Sequence, residues 1–208
     1  MTQSRNAAKQ TVPLVQQLFV FLVAAVVIAL DQFSKAIVEA RMPLNTTYAP
    51  IPSLEAFFRI THVSNTGAAF GLFAQGSMVF TIVAIVVSLV IVFYSFSLPP
   101  GLLPLRLALG LQMGGALGNL IDRFRLGHVT DFLDFGPWPV FNVADTSIVA
   151  GVAILAVLML LEQRREAVAN AAARQDEPQG EPPEGGERDL SAMVLPSSGY
   201  EEVNGRES

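Results

Sequence analysis

Asp122, Asp131, Asp134 and Asp145 all fall within Gly114–Asp145, GGALGNLIDRFRLGHVTDFLDFGPWPVFNVAD, a stretch that joins two apolar runs. An ionised side chain at bilayer depth costs roughly 2.5–3.5 kcal/mol on insertion scales, so carboxylates beside membrane-length segments point to a function. The chemistry within reach is hydrolysis of a peptide bond by two aspartates that share one proton. The ionised member takes a proton from an attacking water; the protonated member donates to the carbonyl oxygen, and a proton later reaches the leaving amine. Close pairing enforces that split. At about 4 Å and an effective dielectric near 20, two like charges repel by roughly 4 kcal/mol, or about three pK units. A helix dipole at the start of the last apolar run would favour ionised Asp145 by only ~0.3–1 kcal/mol. Repulsion wins, and the pair is expected to titrate as a unit.

Other chemistries have less to work with. The chain contains no Cys, which removes thiol nucleophiles, disulfides and Cys-ligated metals. No Ser sits in a GxSxG-type elbow. His62 and His128 with nearby aspartates are the metal alternative, but neither lies in an HExxH-like spacing, and lone loop histidines are usually polar surface. No metal or cofactor is expected.

Further polar residues cluster by spacing. Asn119 and Asp122 are three apart, as are Asn142 and Asp145, so each pair faces one way on its helix. Asn142 is also readable as a helix N-cap with an acid at the third helical position; that reading leaves Asp131 and the gathering of aspartates at one depth unexplained. Asp31 and Lys35 are four apart with the acid first, the favourable order. They read equally as a pair neutralised for insertion and as support behind a site. Gly110, Gly114 and Gly118 recur every four residues, which lets another helix approach closely. Gly115 stands one step off that stripe, and the sequence gives no reason for it.

The elements that must position these residues are read from hydropathy. Of 208 residues, 51% are hydrophobic and only 15% charged, against roughly 25% in a soluble domain. The net charge of −5 belongs to the end of the chain: from Asp176 onward there are nine acids and two bases, and the remainder carries +2. The acidity therefore says nothing about the core's substrate, and no nucleic-acid partner is expected. Apolar runs predict four transmembrane helices at about 18–40, 78–96, 102–121 and 143–161, since about 20 such residues cross a bilayer core. The first run resembles a signal peptide, but Asp31 and Lys35 follow at once without a small-x-small cleavage site, so it reads as a retained helix. FFRITHVS (Phe57–Ser64) has the β-branched and aromatic content of a strand and NTGAAFG (Asn65–Gly71) that of a turn-rich loop, giving a small sheet between helices 1 and 2.

The expected layout is a membrane α-helical fold. It has a cytoplasmic segment 1–13, a four-helix domain 14–165 with extracytoplasmic segments 41–76 and 122–142, and a disordered acidic cytoplasmic tail 166–208. Segment 122–142 reads as a polar-aromatic loop, with Asp134 a solvated neighbour of Asp131. Phe132, Phe135, Trp138 and Phe141 suit an interfacial position. Four spans put both termini on one side. Arg5, Lys9, Arg106, Arg164 and Arg165 against Arg41, Arg59, Arg123 and Arg125 give only a weak positive-inside bias for the cytoplasm. Alternation then brings Asp31, Asn65, Asn119, Asp122, Asn142 and Asp145 to one membrane face. Asp31 lies roughly 20 Å along its helix, so one wet pocket near the outer surface could hold them all.

DQFSK (Asp31–Lys35), NTGAAF (Asn65–Phe70), GGALGNLIDR (Gly114–Arg123), VTDF (Val129–Phe132) and FNVAD (Phe141–Asp145), in order on four spans, resemble the lipoprotein signal peptidases, or signal peptidase II, over residues 14–165. The resemblance implies a metal-free aspartyl endopeptidase of the bacterial cytoplasmic membrane. Such an enzyme removes signal peptides from prolipoproteins whose lipobox Cys carries a diacylglyceryl group, cleaving just before that Cys. It implies Asp131 and Asp145 as the catalytic pair. It implies Asp31, Lys35, Asn65, Gly67, Asn119, Asp122, Arg123 and Asn142 as residues that bind substrate or support the site, and the 41–76 segment as a β-cradle on the outer surface. Lipid-modified prolipoproteins and membrane lipid are the expected partners, and the expected state is a monomer. A proton or ion transporter using Asp31, Lys35 and Asp122 is the rival from another class, but spans two and four lack polar residues in their inner halves. A structural scaffold would leave the aspartates without purpose.

Overall fold

Continuous apolar faces make the helices, and the two polar segments between them make one shared sheet. The computed structural model describes residues 13–67 and 76–176. Its helices are α1 (Leu14–Arg41), α2 (Gly76–Ser97), α3 (Leu103–Leu126) and α4 (Val143–Asp176). The strands β1 (Thr47–Tyr48), β2 (Arg59–Asn65) and β3 (Val129–Asp134) form an antiparallel sheet in the order β1-β2-β3. A 3₁₀ turn at Pro52–Leu54 connects the first two.

The sheet differs from the one expected between helices 1 and 2 alone. Its third strand comes from the segment between α3 and α4, which had read as loop. β2 would otherwise present a free edge of unpaired backbone groups; VTDFLD supplies the partners. Val63 sits opposite Asp131 and Asn65 opposite Val129, with a register irregularity between Ile60 and Val63. Asp134 is likewise not solvated. It is 6% exposed and accepts from Arg59 Nε and Nη2 at 3.0 and 3.1 Å and from Thr61 Oγ1 at 2.8 Å. Asp131 and Asp134 are three apart on a strand, so the alternation of side chains sends them to opposite faces.

α1, α2 from Met78 and α4 as far as Ala173 are long and apolar enough to cross a membrane. α3 has 24 residues and does not meet that test of composition, for it carries Arg106, Gln112, Asn119, Asp122, Arg123 and Arg125. It is the central helix, and its sides face protein. Val20 and Ala24 of α1, Ile91 of α2, and Leu109 and Met113 of α3 share one core cluster with Leu98. Arg106 is fully buried in its first turn. It donates to the carbonyls of Ser95, Leu98 and Pro99 at 3.0–3.3 Å, satisfying carbonyls at the end of α2.

The glycine stripe is the α1–α3 seam. A Cβ on Gly114 would lie 2.6 Å from Val27 Cβ and 2.9 Å from the Ala24 carbonyl oxygen. Gly115 now has its reason: a Cβ there would strike the Ala144 carbonyl and Ile148 of α4. Adjacent glycines thus admit two different helices to α3.

Two helices run well past their expected C-terminal ends. α3 continues past Ile121 through Asp122 and Arg123 to Leu126 and stops at Gly127, which adopts φ 78°, a residue suited to the left-handed cap. α4 continues past Leu161 to Asp176, so residues 166–176 of the expected disordered tail are helical. EQRREAVANAAARQ is rich in strong helix formers, which hydropathy does not register. Residues 1–12, 68–75 and 177–208 lie outside the described residues. They include nearly all of the expected cytoplasmic segment, most of the NTGAAFG loop and the rest of the tail.

Gly114→Ala tests the seam. Overpacking costs about 1–3 kcal/mol, while Gly to Ala within a helix gains at most ~1 kcal/mol. The variant is expected to melt lower than the parent in detergent. A melting temperature that is unchanged or raised would mean the helices are not in contact there.

Candidate active site

The site is built outward from Lys35, which is 2% exposed. Its ammonium lies 2.8 Å from Asp31 Oδ2, 2.7 Å from Asp122 Oδ2 and 2.9 Å from Asn119 Oδ1. An ammonium has three donors, and each finds an acceptor. The remaining carboxylate capacity fixes other elements. Asp31 Oδ1 accepts the Ala144 N–H at 3.0 Å, one of the orphan donors in the first turn of α4. Asp122 accepts from Gln32 Nε2 at 2.8 Å and from the Thr130 N–H of β3 at 3.2 Å. One buried cation thereby ties α1, α3, β3 and the start of α4 together.

Asparagines carry this order to two further aspartates. Asn142 caps α4: its Oδ1 accepts the Asp145 N–H at 2.9 Å, and Asp145 Oδ2 accepts the Asn142 N–H at 3.3 Å. The same side chain donates to Asp131 Oδ1 at 2.6 Å and to Asn119 Oδ1 at 3.0 Å. Asn119 donates in turn to Asp145 Oδ1 at 2.7 Å. Asn65, at the end of β2, donates to Asp131 Oδ2 at 2.8 Å and accepts the Gly67 N–H at 2.8 Å, where Gly67 turns with φ 82°. The cap expected of Asn142 and Asp145 is therefore present, and it is also what aims Asp145 into the cleft.

Asp131 and Asp145 line one cleft of about 1030 Å³. Asn65, Gly67, Asn119 and Arg123 line it too, as do the apolar side chains of Phe80, Val83, Val87, Ala116 and Ile148. Arg123 donates to the Asn119 carbonyl at 3.2 Å, lies over the Phe80 ring at 5.5 Å, and interacts electrostatically with Asp145, Asp122 and Asp131. Asp131 is 1% exposed. Burial, reinforced by the charge on Asp145, pushes its carboxyl up to about 6 against the opposing pull of Asn65 and Asn142. Asp134, by contrast, is held below the ordinary carboxylate range, chiefly by its hydrogen bonds from Arg59.

All ten residues singled out from the sequence thus meet in this region. Asn65, Gly67, Asn119, Arg123, Asp131 and Asp145 line the cleft; Asp31, Lys35, Asp122 and Asn142 hold them from behind. Gln32 and Thr130 were missed. Gln32 stood inside DQFSK, but its bond to Asp122 spans 90 positions. Thr130 bonds Glu39 Oε1 at 2.6 Å besides Asp122, and nothing local signals either contact. The aromatics divide. Trp138 is 70% exposed, whereas Phe132 is buried and Phe135 stacks on Phe141 at 5.6 Å. His62 is committed to the Met42 carbonyl oxygen at 2.8 Å. Two carboxyls on one cleft, one of them buried and raised, can hold and activate a water against an electrophilic carbonyl.

A family model described as signal peptidase (SPase) II matches residues 23–161. The lipoprotein signal peptidase of Moorella thermoacetica is 48% identical over 148 residues, 70% of this chain and 97% of that protein. That of Desulfitobacterium hafniense is 42% identical over 150 residues, 72% and 97% of the two chains. A solved bacterial membrane enzyme superposes with a TM-score of 0.63 at 32% identity, covering 69% of this chain and 88% of its own.

The electrostatic coupling can be read directly. In protein carrying ¹³C-labelled aspartate, the Asp131 carboxyl is expected to titrate at about 6. In Asp145→Asn it is expected to titrate lower, because the like charge that raised it is gone. An unchanged midpoint would show that the two carboxyls do not sense each other.

Proposed function

The chain belongs to the signal peptidase II family and is a membrane peptidase, and on that premise we propose that it removes signal peptides from diacylglyceryl-modified prolipoproteins by an Asp131–Asp145 dyad. Cleavage falls just before the lipidated Cys. The observation that carries this reading is the cleft lined by both aspartates, each held by an asparagine amide.

The steps follow from the environments of the two acids. Asp145, at the start of α4 where the helix dipole favours negative charge, is assigned the part of the base. Asp131, whose burial works against its charge, is assigned the shared proton. A water between them attacks the scissile carbonyl carbon as its proton passes to Asp145, while Asp131 gives its proton to the carbonyl oxygen. The tetrahedral diol then collapses: the C–N bond breaks, the amine leaves with the proton from Asp145, and a hydroxyl proton returns to Asp131. Asn65, Asn119 and Asn142 keep both carboxyls aimed through these steps, and Lys35 with Asp31 and Asp122 keeps Asn119, and through it Asn142, in place. Arg123 faces the cleft beside them.

The layout suits a substrate that arrives sideways from the bilayer. α3, at 24 residues, is roughly 36 Å long and completes a four-span domain with α1, α2 and α4. Alternation of four spans puts both termini on one side, which we take as the cytoplasm, with the cleft near the outer face of the bacterial cytoplasmic membrane. The three-stranded sheet then lies on the outer surface as a cradle, and exposed Trp138 sits at interfacial depth. The apolar wall of Phe80, Val83, Val87 and Ile148 takes the lipidated end of the substrate. Every residue used belongs to one chain, so a monomer suffices.

Purified protein with a lipidated precursor peptide tests this. The parent is expected to cleave it and to leave the unmodified precursor intact. Asp131→Asn and Asp145→Asn should each lower kcat/KM by about 10²–10⁴-fold, the worth of a positioned acid or base, without loss of helicity or melting temperature. Cleavage of both precursors at equal rate would overturn the substrate assignment, and a fully active Asn variant would overturn the dyad.

A further inference from the structure

Gln112 lines the cleft from α3, yet its side-chain Nε2 is buried and has no hydrogen-bond partner among the described residues. A buried donor left unmade is costly, and native structures keep few of them without a reason. None of the steps above uses it. Its position is specific. It precedes Asn119 by seven residues, about two turns, so it lies on the same face of α3 roughly 10 Å further along the axis. Asn119 is the residue that holds Asp145. Gln112 therefore stands about two turns of helix from the level of the dyad, and the cleft it lines is also lined by apolar Val87, Ala116 and Ile148. The side chain is also seated. A Cβ on Gly151 of α4 would lie 2.7 Å from Gln112 Cγ, so α4 has a bare glycine where the glutamine stem rests.

We propose that Gln112 is a substrate-binding residue that donates a hydrogen bond to an ester carbonyl oxygen of the diacylglyceryl group. The inference rests on the substrate reading above. A largely apolar cleft wall with one unpartnered amide donor set within it calls for a ligand that is apolar save for an acceptor. An acyl ester is such a ligand, and its thioether–glycerol link sets the ester several bonds away from the scissile peptide. The signal peptide is a poorer source of the acceptor, because a backbone crossing a bilayer must satisfy its own carbonyls internally.

The test compares two synthetic precursors, one bearing ester-linked acyl chains and one bearing ether-linked alkyl chains of equal length. Binding is measured in the Asp145→Asn background, which reads the contact apart from cleavage. Protein with Gln112 is expected to bind the ester form about five- to tenfold more tightly than the ether form, the worth of one hydrogen bond. Adding Gln112→Met is expected to remove that preference by weakening the ester form alone. It should leave the melting temperature of the free protein unchanged or higher, since a free buried donor has gone. Equal affinity of Gln112 protein for both lipids overturns the proposal without needing any change at position 112. Equal loss of both lipids in Gln112→Met would assign the contact to a peptide carbonyl and overturn the ester assignment. Failure of the parent to cleave the ester precursor would instead strike the substrate reading on which the inference stands.

Discussion

The Lys35 ammonium is the interaction on which the rest of the structure depends. Burying an ion costs several kcal/mol even after relaxation, and two carboxylates are buried with it. That cost is offset only because each of its three donors meets an acceptor, on Asp31, Asp122 and Asn119. Each acceptor then leads elsewhere: Asp31 to the first turn of α4, Asp122 to β3, Asn119 to Asp145. Removing one partner of such a cluster costs far more than replacing it whole, because it strands charge in the interior. The pocket is thus an outgrowth of the same contacts that dock the helices.

The two aspartates on the cleft differ because the chain delivers them differently. Asp145 arrives at the N-terminus of a helix, where its carboxylate takes part in a reciprocal cap with Asn142. Asp131 arrives on a strand whose neighbours bury it, and burial works against its charge. Unequal environments for two nearby acids are what separate an acid from a base. Asn142 links them, capping one and hydrogen-bonding the other. One asparagine thus serves as a helix cap and as a hydrogen-bond donor to the second acid.

Much of this was legible in the sequence, and the exceptions share a cause. Apolar runs located all four helices, and five short motifs marked the residues around Asp131 and Asp145. What the runs concealed was helix beyond the apolar part: α3 continues through Asp122 and α4 through Glu162, because helix propensity does not require hydropathy. β3 was hidden because six residues of mixed polarity read as loop until β2 offers an edge. Asp134 looked solvated because its partner Arg59 lies 75 positions away. Gly115 had no visible purpose for the same reason, since α4 must first return to pack on it. Long-range pairing, not local pattern, decided each of these.

Amide hydrogen exchange in Lys35→Met protein probes the central claim most directly. If the ammonium organises the site, the Ala144 and Thr130 amides should lose protection together, since their acceptors Asp31 and Asp122 are no longer held. Amides within α2 should keep theirs. Full protection retained at both Ala144 and Thr130 would contradict the account.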